Sequence, residues 1–297
     1  MHQNIHIEKI NDASLENKGI EAAVLRLDKI HPIVSGNKIF KLRPYLIKAQ
    51  EEKRSTIITL GGHHSNHLHA TAFAAREHGL KAIGLLKGSP PKKWSETLKD
   101  CQAMGMELVF MQNLQDEIPN LQELQLNYPD AMIVPQGGYG YIGALGASAI
   151  MSLPGVENYN IMMAASGTGT MGAGLIIGAR NNQQIILVSV LKNNWSIKEE
   201  IKALLPEEKK HENFIIEHRF HLGGYAKKNK LLFETMNRFY QKHGTPTDQV
   251  YTGKLVFAFE QLVKEGVFPA SSKILLIHSG GMQGNRSLRN NELCFEI

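Results

Sequence analysis

Between residues 55 and 129, short apolar runs alternate with helix-forming stretches, and this alternation limits the folds open to the chain more than any other feature. The run STIITLGG, residues 55–62, is dense in β-branched residues and ends on two glycines. SNHLHATAFAAREHG follows, small and helix-forming, with Ser65 or Asn66 placed to cap it and Gly79 to stop it. KAIGLLKG, SETLKDCQAMG, MELVFM and NLQELQLNYP continue as strand, helix, strand and helix. Short strands separated by helices predict parallel pairing through right-handed crossovers, so the middle of the chain reads as a doubly wound α/β unit. Ahead of it, AAVLRLD (22–28) reads as a strand, and a helix follows a turn carrying Pro32 and Gly36. Behind it, AMIVPQGGYGYIGALGASAIM is Gly-rich without alternation and reads as a connection to a second unit. That unit opens with YNIMMAASGTGTMGAGLIIGAR, continues through QQIILVSVL and a helix-rich stretch, and ends on the strand KILLIHSGG.

Composition narrows the functional classes. The 297 residues suffice for one large domain or two modest ones, and 42% hydrophobic residues is ordinary for a packed core. Lys plus Arg, 33, exceeds Asp plus Glu, 28, by only five, with basic residues scattered among acidic ones. A nucleic-acid partner is therefore not expected, and an enzyme handling small anions fits. Cys101 and Cys294 stand far apart and form neither a CxxC motif nor a disulfide framework, which points to a reducing cytoplasm. The opening MHQNIHIEKINDAS has no basic segment followed by an apolar one, and no run approaches membrane-spanning length. The expectation is a soluble, unprocessed, cytoplasmic protein with no membrane partner.

Three glycine-marked segments carry the chemistry. In IMMAASGTGTMGAGLIIG a strand runs into Ser166, Gly167, Thr168, Gly169 and Thr170 and then into an apolar helix. Backbone N–H groups and hydroxyls at such a helix start make a ready phosphate site. No Gly-Lys-Ser/Thr follows, so this is not a nucleotide P-loop, and no acidic residue about 20 positions on completes a dinucleotide fingerprint. The bland alternative is a tight turn.

In LGGHHSNHLHATA, the histidines His63, His64, His67 and His69 raise a metal site, because His63 and His67 share a face if both are helical. The segment has no HExxH glutamate or cysteine pair, and His63 falls in the turn before the helix. Polar residues lining an active-site turn, with no metal, are the preferred reading. Ser65 and Asn66 put a hydroxyl and an amide at a helix N-terminus, a setting that suits a carboxylate.

The third segment is VSGNKIFKLRPYL, where Lys38 stands at the end of a turn holding Ser35 and Gly36, as Ile39, Leu42, Tyr45 and Leu46 begin a helical period. Alone it reads as a surface lysine. Beside two anion pockets and partly desolvated, its amine can lose a proton near neutral pH and form a Schiff base with an aldehyde. Phosphate, aldehyde and carboxylate together describe pyridoxal phosphate with an amino-acid substrate.

On these motifs, taken in order over nearly its whole length, the chain resembles the fold-type II (tryptophan synthase β-like) pyridoxal phosphate enzymes. The branch is that of D-cysteine desulfhydrase and 1-aminocyclopropane-1-carboxylate (ACC) deaminase. GNKIFKL resembles the family's Gly-Asn-Lys-x-x-Lys-Leu, which implies Lys38 as the Schiff-base lysine and Lys41 as a phosphate contact. GGHHSN resembles Gly-Gly-x-Gln-Ser-Asn, with His64 in place of Gln. It implies Ser65 as a catalytic, substrate-facing residue and Asn66 as the partner of the cofactor's ring hydroxyl, with His67 beside them toward substrate. SGTGT matches the phosphate cradle. GGYA and VYTGK match the positions of two active-site tyrosines, here Tyr225 and Tyr251, which would otherwise read as packing residues. HSGG matches the segment passing the pyridine nitrogen, at Ser279, and Thr252 follows the second tyrosine. The family's ACC deaminases carry Glu and Leu at these two positions and its desulfhydrases small hydroxyl residues.

The resemblance implies two α/β domains, each an open twisted, mainly parallel sheet flanked by helices, with pyridoxal phosphate in the cleft between them. The larger would combine residues 1–43 and 149–297, the smaller residues 44–148. The implied reaction is β-elimination from a small D-amino acid, D-cysteine to pyruvate, sulfide and ammonia, in a homodimer. ACC deaminase is the nearer alternative, and a non-catalytic phosphate- or metal-binding protein the farther one.

Overall fold

The computed structural model describes residues 5–31, 33–34, 36–111, 121–210, 214–288 and 292–296. Pro32, Ser35 and Asn120 of the segments quoted above lie outside the described residues. The chain folds around two sheets. One holds six strands in the order β1 (Ile7–Lys9), β2 (Glu21–Arg26), β10 (Lys273–His278), β7 (Ile161–Ser166), β8 (Gln184–Ser189) and β9 (Phe214–Glu217). Every pairing in it is parallel except β1 with β2. The other holds four parallel strands in the order β5 (Met106–Met111), β4 (Lys81–Lys87), β3 (Thr56–Leu60) and β6 (Ala131–Val134).

The strand sequences are apolar at consecutive positions because both faces of each sheet are covered. In β2, Ala23 and Leu25 enter one core and Ala22 and Val24 the other; in β10, Leu275 and Ile277 part from Ile274 and Leu276 in the same way. One face of the six-stranded sheet is covered by α6 (Tyr141–Ser148), α7 (Thr170–Gly178) and α8 (Ile197–Lys202), the opposite face by α9 (Lys230–His243) and α10 (Thr252–Lys264). The four-stranded sheet packs α2 (Asn37–Glu51), α3 (Asn66–Glu77) and α4 (Glu96–Ala103) on one side and α5 (Leu121–Asn127) on the other.

Two elements depart from the sequence reading. The Gly-rich segment 131–151 is no mere connection: it contributes strand β6, paired in register with β3, and helix α6. Helix α6 lies between α2 and α7, and its glycines are contact points. A Cβ on Gly146 would stand 2.3 Å from the Phe40 carbonyl oxygen, and one on Gly143 would stand 2.0 Å from that of Gly138. Helix α2 joins the two cores, since Phe40 packs against the six-stranded sheet's core while Leu42, Tyr45, Leu46 and Ala49 enter the other. The segments that follow the C-terminal ends of β2, β3, β7, β9 and β10 bear Lys38, Ser65, the SGTGT residues, Tyr225 and Ser279, the placement at which open parallel sheets bind ligands. No helix among the described residues is long and apolar enough to cross a membrane.

Candidate active site

Lys38 owes its position to the start of α2. Gly36 precedes the helix with φ +74°, and the Asn37 N–H donates to the Ser279 carbonyl at 3.1 Å, fastening the helix start to the end of β10. The buried Asn37 amide reaches Met171 Sδ at 3.1 Å and accepts the Lys38 amine on its oxygen at 2.8 Å. Burial pulls the Lys38 pKa down to about 8, opposed by the negative charge of Asp248. At neutral pH about a tenth of such an amine is deprotonated and competent as nucleophile or base, far more than for an ordinary lysine.

One turn on, Lys41 is buried and donates to the Gly137 carbonyl at 3.2 Å. Burial, and then the charge of Lys38, hold its pKa well below the ordinary lysine value. Such a cation gains from an anion. The anion setting is adjacent: a Cβ on Gly137 would stand 3.5 Å from Thr168 Cγ2, so the turn that receives Lys41 touches the SGTGT loop. In that loop Ser166 Oγ is buried without a hydrogen-bond partner among the described residues, and the Thr168 and Thr170 hydroxyls pair at 3.1 Å. Gly167 lies against the Tyr251 ring, where a Cβ would stand 3.2 Å from Cε1, and Gly169 (φ +74°) turns the chain into α7. An orphaned hydroxyl, a helix N-terminus and a buried lysine together fit a phosphate.

Ser65 is the cap of α3, its Oγ accepting the Leu68 N–H at 3.2 Å. Asn66 opens that helix and reaches across to the segment after β10, its Oδ1 accepting from Gln283 and its Nδ2 lying under Gly281. His67 is placed behind the site: it is 3% exposed, and its Nε2 meets Thr59 Oγ1 at 2.9 Å. Burial and the charges of Lys38 and Lys41 hold it neutral; the Pro135 carbonyl opposes slightly, without a well-formed bond to Nδ1. The neighbouring histidines diverge. His69 faces Asp100 at 3.4 Å, His63 packs edge-on to Phe110, and no group of three potential metal ligands converges among the described residues.

Tyr225 and Tyr251 do come together, ring centroids 6.2 Å apart and nearly perpendicular. Burial raises both phenols, that of Tyr251 well above the ordinary range, with Tyr225 and Asp248 adding to the effect. Both are held as proton donors at neutral pH. Thr252 and Ser279 are buried at the same end of the sheet, and Ser279 offers its carbonyl to Asn37.

Two further residues escaped the sequence reading. Asp248, 1% exposed, accepts the N–H groups of Val250 and Tyr251 at 2.8 and 3.0 Å on one oxygen, and that of Thr252 at 2.8 Å on the other. It therefore fixes the start of α10 and with it Tyr251. The signal was an Asp just ahead of an apolar helix. Lys254, fully buried, donates to the carbonyls of Val190 and Gly224.

The chain is 29% identical to a protein of Pyrococcus furiosus named as a putative 1-aminocyclopropane-1-carboxylate deaminase, with 90% of this chain and 86% of that one covered. It is 28% identical to a Thermotoga maritima protein of the same name, with 91% of each covered. A crystal structure of an ACC deaminase homologue superposes with a TM-score of 0.80 at 25% identity, covering 95% of this chain and 90% of that one. The pyridoxal-phosphate dependent enzyme family matches residues 6–280, nearly the full length over which the two sheets and the cradle are built. The chain belongs to that family, and pyridoxal phosphate is its cofactor.

Proposed function

We propose that this enzyme releases ammonia from a small amino acid, leaving a 2-oxo acid, and that the residues gathered around Lys38 carry the reaction. The supporting observation is the Lys38 amine itself, held by Asn37 and partly deprotonated by burial, one helical turn from a lysine at a phosphate cradle. Lys38 would bind the cofactor's aldehyde, Lys41 with Ser166–Thr170 its phosphate, and Asn66 its ring hydroxyl. The bound cofactor supplies an electron sink for the bond broken at the substrate's Cα. With D-cysteine, Lys38 Nζ would take the Cα proton; ACC has no hydrogen on Cα, so with ACC it would instead move a proton at a ring methylene carbon, and in both cases Ser65 at the start of α3 would hold the substrate carboxylate. Tyr225 and Tyr251, protonated at neutral pH, donate to the atom that departs or gains charge.

The names of the relatives favour ACC as substrate over D-cysteine. A second reading, β-elimination from D-cysteine, rests on Thr252 and Ser279, hydroxyl residues at the two positions where ACC deaminases of this family carry Glu and Leu. The products separate them by atom balance. ACC and water give 2-oxobutanoate and ammonia; D-cysteine and water give pyruvate, sulfide and ammonia. Incubating the holoenzyme with each and measuring ammonia, the 2-oxo acid and sulfide tests both. Ammonia from neither compound nor from a panel of small D- and L-amino acids would refute the proposal.

A further inference from the structure

We propose that Lys254 is a positioning residue that couples Tyr225 to Tyr251 by clamping the turn that carries Tyr225. Lys254 follows Tyr251 by three residues in the first turn of α10, and its amine reaches the carbonyl of Gly224, the residue immediately before Tyr225. The same amine donates to the Val190 carbonyl at 3.3 Å, just past the end of β8. One side chain thus joins the helix of one tyrosine, the turn of the other and the sheet beneath them.

The turn needs such a clamp. Leu222 and Ala226 adopt φ of +47° and +50°, values that side-chain-bearing residues rarely take, and Gly223 and Gly224 between them adopt +95° and +108°. Although burial of its phenol raises the Tyr225 pKa, 53% of the residue's surface is exposed, so packing alone holds only part of it against its edge-to-face partner Tyr251. Local hydrogen bonds are few: Gly224 N–H to His221 O at 3.0 Å, Gly223 N–H to His221 Nδ1 at 3.1 Å and Lys227 N–H to Gly224 O at 3.4 Å. A strained, exposed turn persists where its surroundings over-determine it, and here the determinant is a lysine with no exposed surface. Burial draws the Lys254 pKa down to about 8 against the pull of Asp248. Two carbonyl acceptors need only two N–H donors, which the neutral amine keeps, so the clamp does not depend on charge.

The coupling rests on Tyr225 acting in the site as proposed above, so the test separates the two ideas. In the holoenzyme, Lys254→Met keeps the packing volume and removes the donors. Amide hydrogen exchange over residues 222–227 should then accelerate by roughly tenfold or more, while exchange in β7 and β10 stays unchanged. Ammonia release from whichever of ACC and D-cysteine is turned over should lose roughly tenfold in kcat in the wild-type background, and little in a Tyr225→Phe background. Unchanged exchange in the turn, or fully additive losses in the double variant, would overturn the proposal. Should Lys254→Met fail to fold, Lys254→Leu, which removes every donor, is put through the same two measurements, and the same outcomes support or overturn the clamp. If Tyr225→Phe releases ammonia at wild-type rates, the role of Tyr225 fails on its own account, and exchange still decides whether Lys254 holds the turn.

Discussion

Gly36 and Ser279 meet so closely that a Cβ on Gly36 would stand 1.8 Å from the Ser279 carbonyl oxygen. This contact joins the start of α2 to the end of β10 and so sets where Lys38 stands. Gly36 also has φ +74°, which a residue with a Cβ adopts only at a cost. Gly36→Ala should therefore destabilise the fold by about 3 kcal/mol or more, summing backbone strain and overpacking. It should also lower the occupancy of the cofactor. Denaturant unfolding and the visible absorbance of the purified protein check both, and a variant with wild-type values for each would show that the contact gives way freely.

Lys38→Ala should abolish turnover and the absorbance band of lysine-bound cofactor while leaving the melting temperature near wild type, because Ala at a helix start costs no propensity. Lys41→Ala should act on affinity. A lost charge-assisted bond to phosphate is worth roughly 1.5 to 3 kcal/mol, so cofactor dissociation should rise by about ten- to a hundredfold with part of kcat retained at saturation. Titration of the apoprotein with pyridoxal phosphate distinguishes the two outcomes.

The buried Lys254 makes stability depend on pH in a definite direction. Its folded pKa of about 8 lies below the ordinary value of 10.5, so between these the unfolded chain holds a proton that the folded site has released. Stability should rise with pH across that window, and below pH 8 the cost of burying the charge is present in full. From pH 8 to 10 this lysine should contribute a gain of roughly 2 kcal/mol, which Lys254→Met lacks. Denaturation midpoints of both proteins at the two pH values give the difference, and parallel slopes would show that Lys254 does not titrate in this range.

The repeating strand and helix order was legible because buried parallel strands are short apolar runs and the intervening helices carry caps, as Ser65 and Ser95 do. Strand β6 and helix α6 were not. AMIV is only four residues with no alternation, and Gly143 and Gly146 look like turn punctuation although they are points of close helix contact. Lys38 and the SGTGT loop drew notice through residue types that chemistry needs at the start of a helix or the end of a strand, whereas Lys41 came only from the resemblance of GNKIFKL to the family's motif. The histidine spacing raised shared ligation only as the lesser reading, and in the structure the rings of His67, His69 and His63 turn to Thr59, Asp100 and Phe110 respectively. Asp248 and Lys254 were hidden because an isolated charge gains meaning only from the carbonyls and N–H groups brought to it by residues far away in sequence, such as Val190 and Gly224.

Thr252 and Ser279 bear on which bond the enzyme breaks. The Thr252 hydroxyl is already committed, donating to Asp248 Oδ1 at 2.7 Å and accepting the Asp248 N–H at 2.7 Å. Thr252→Val keeps its size and removes both bonds, which should cost about 1 to 3 kcal/mol of stability, because the buried Asp248 N–H loses its acceptor. Thr252→Glu introduces a second carboxylate beside Asp248, and two such neighbours cannot both ionise freely. A carboxylate near the ring nitrogen of the bound cofactor would favour its protonated, more electron-withdrawing form. Opening a cyclopropane ring draws on that more heavily than expelling a thiolate does. Thr252→Glu with Ser279→Leu should therefore lower the ratio of D-cysteine to ACC turnover relative to the unmodified protein, even as total activity falls. The check is kcat/KM for both compounds in both proteins, from ammonia release. A ratio that is unchanged or higher would show that these two positions do not select the substrate.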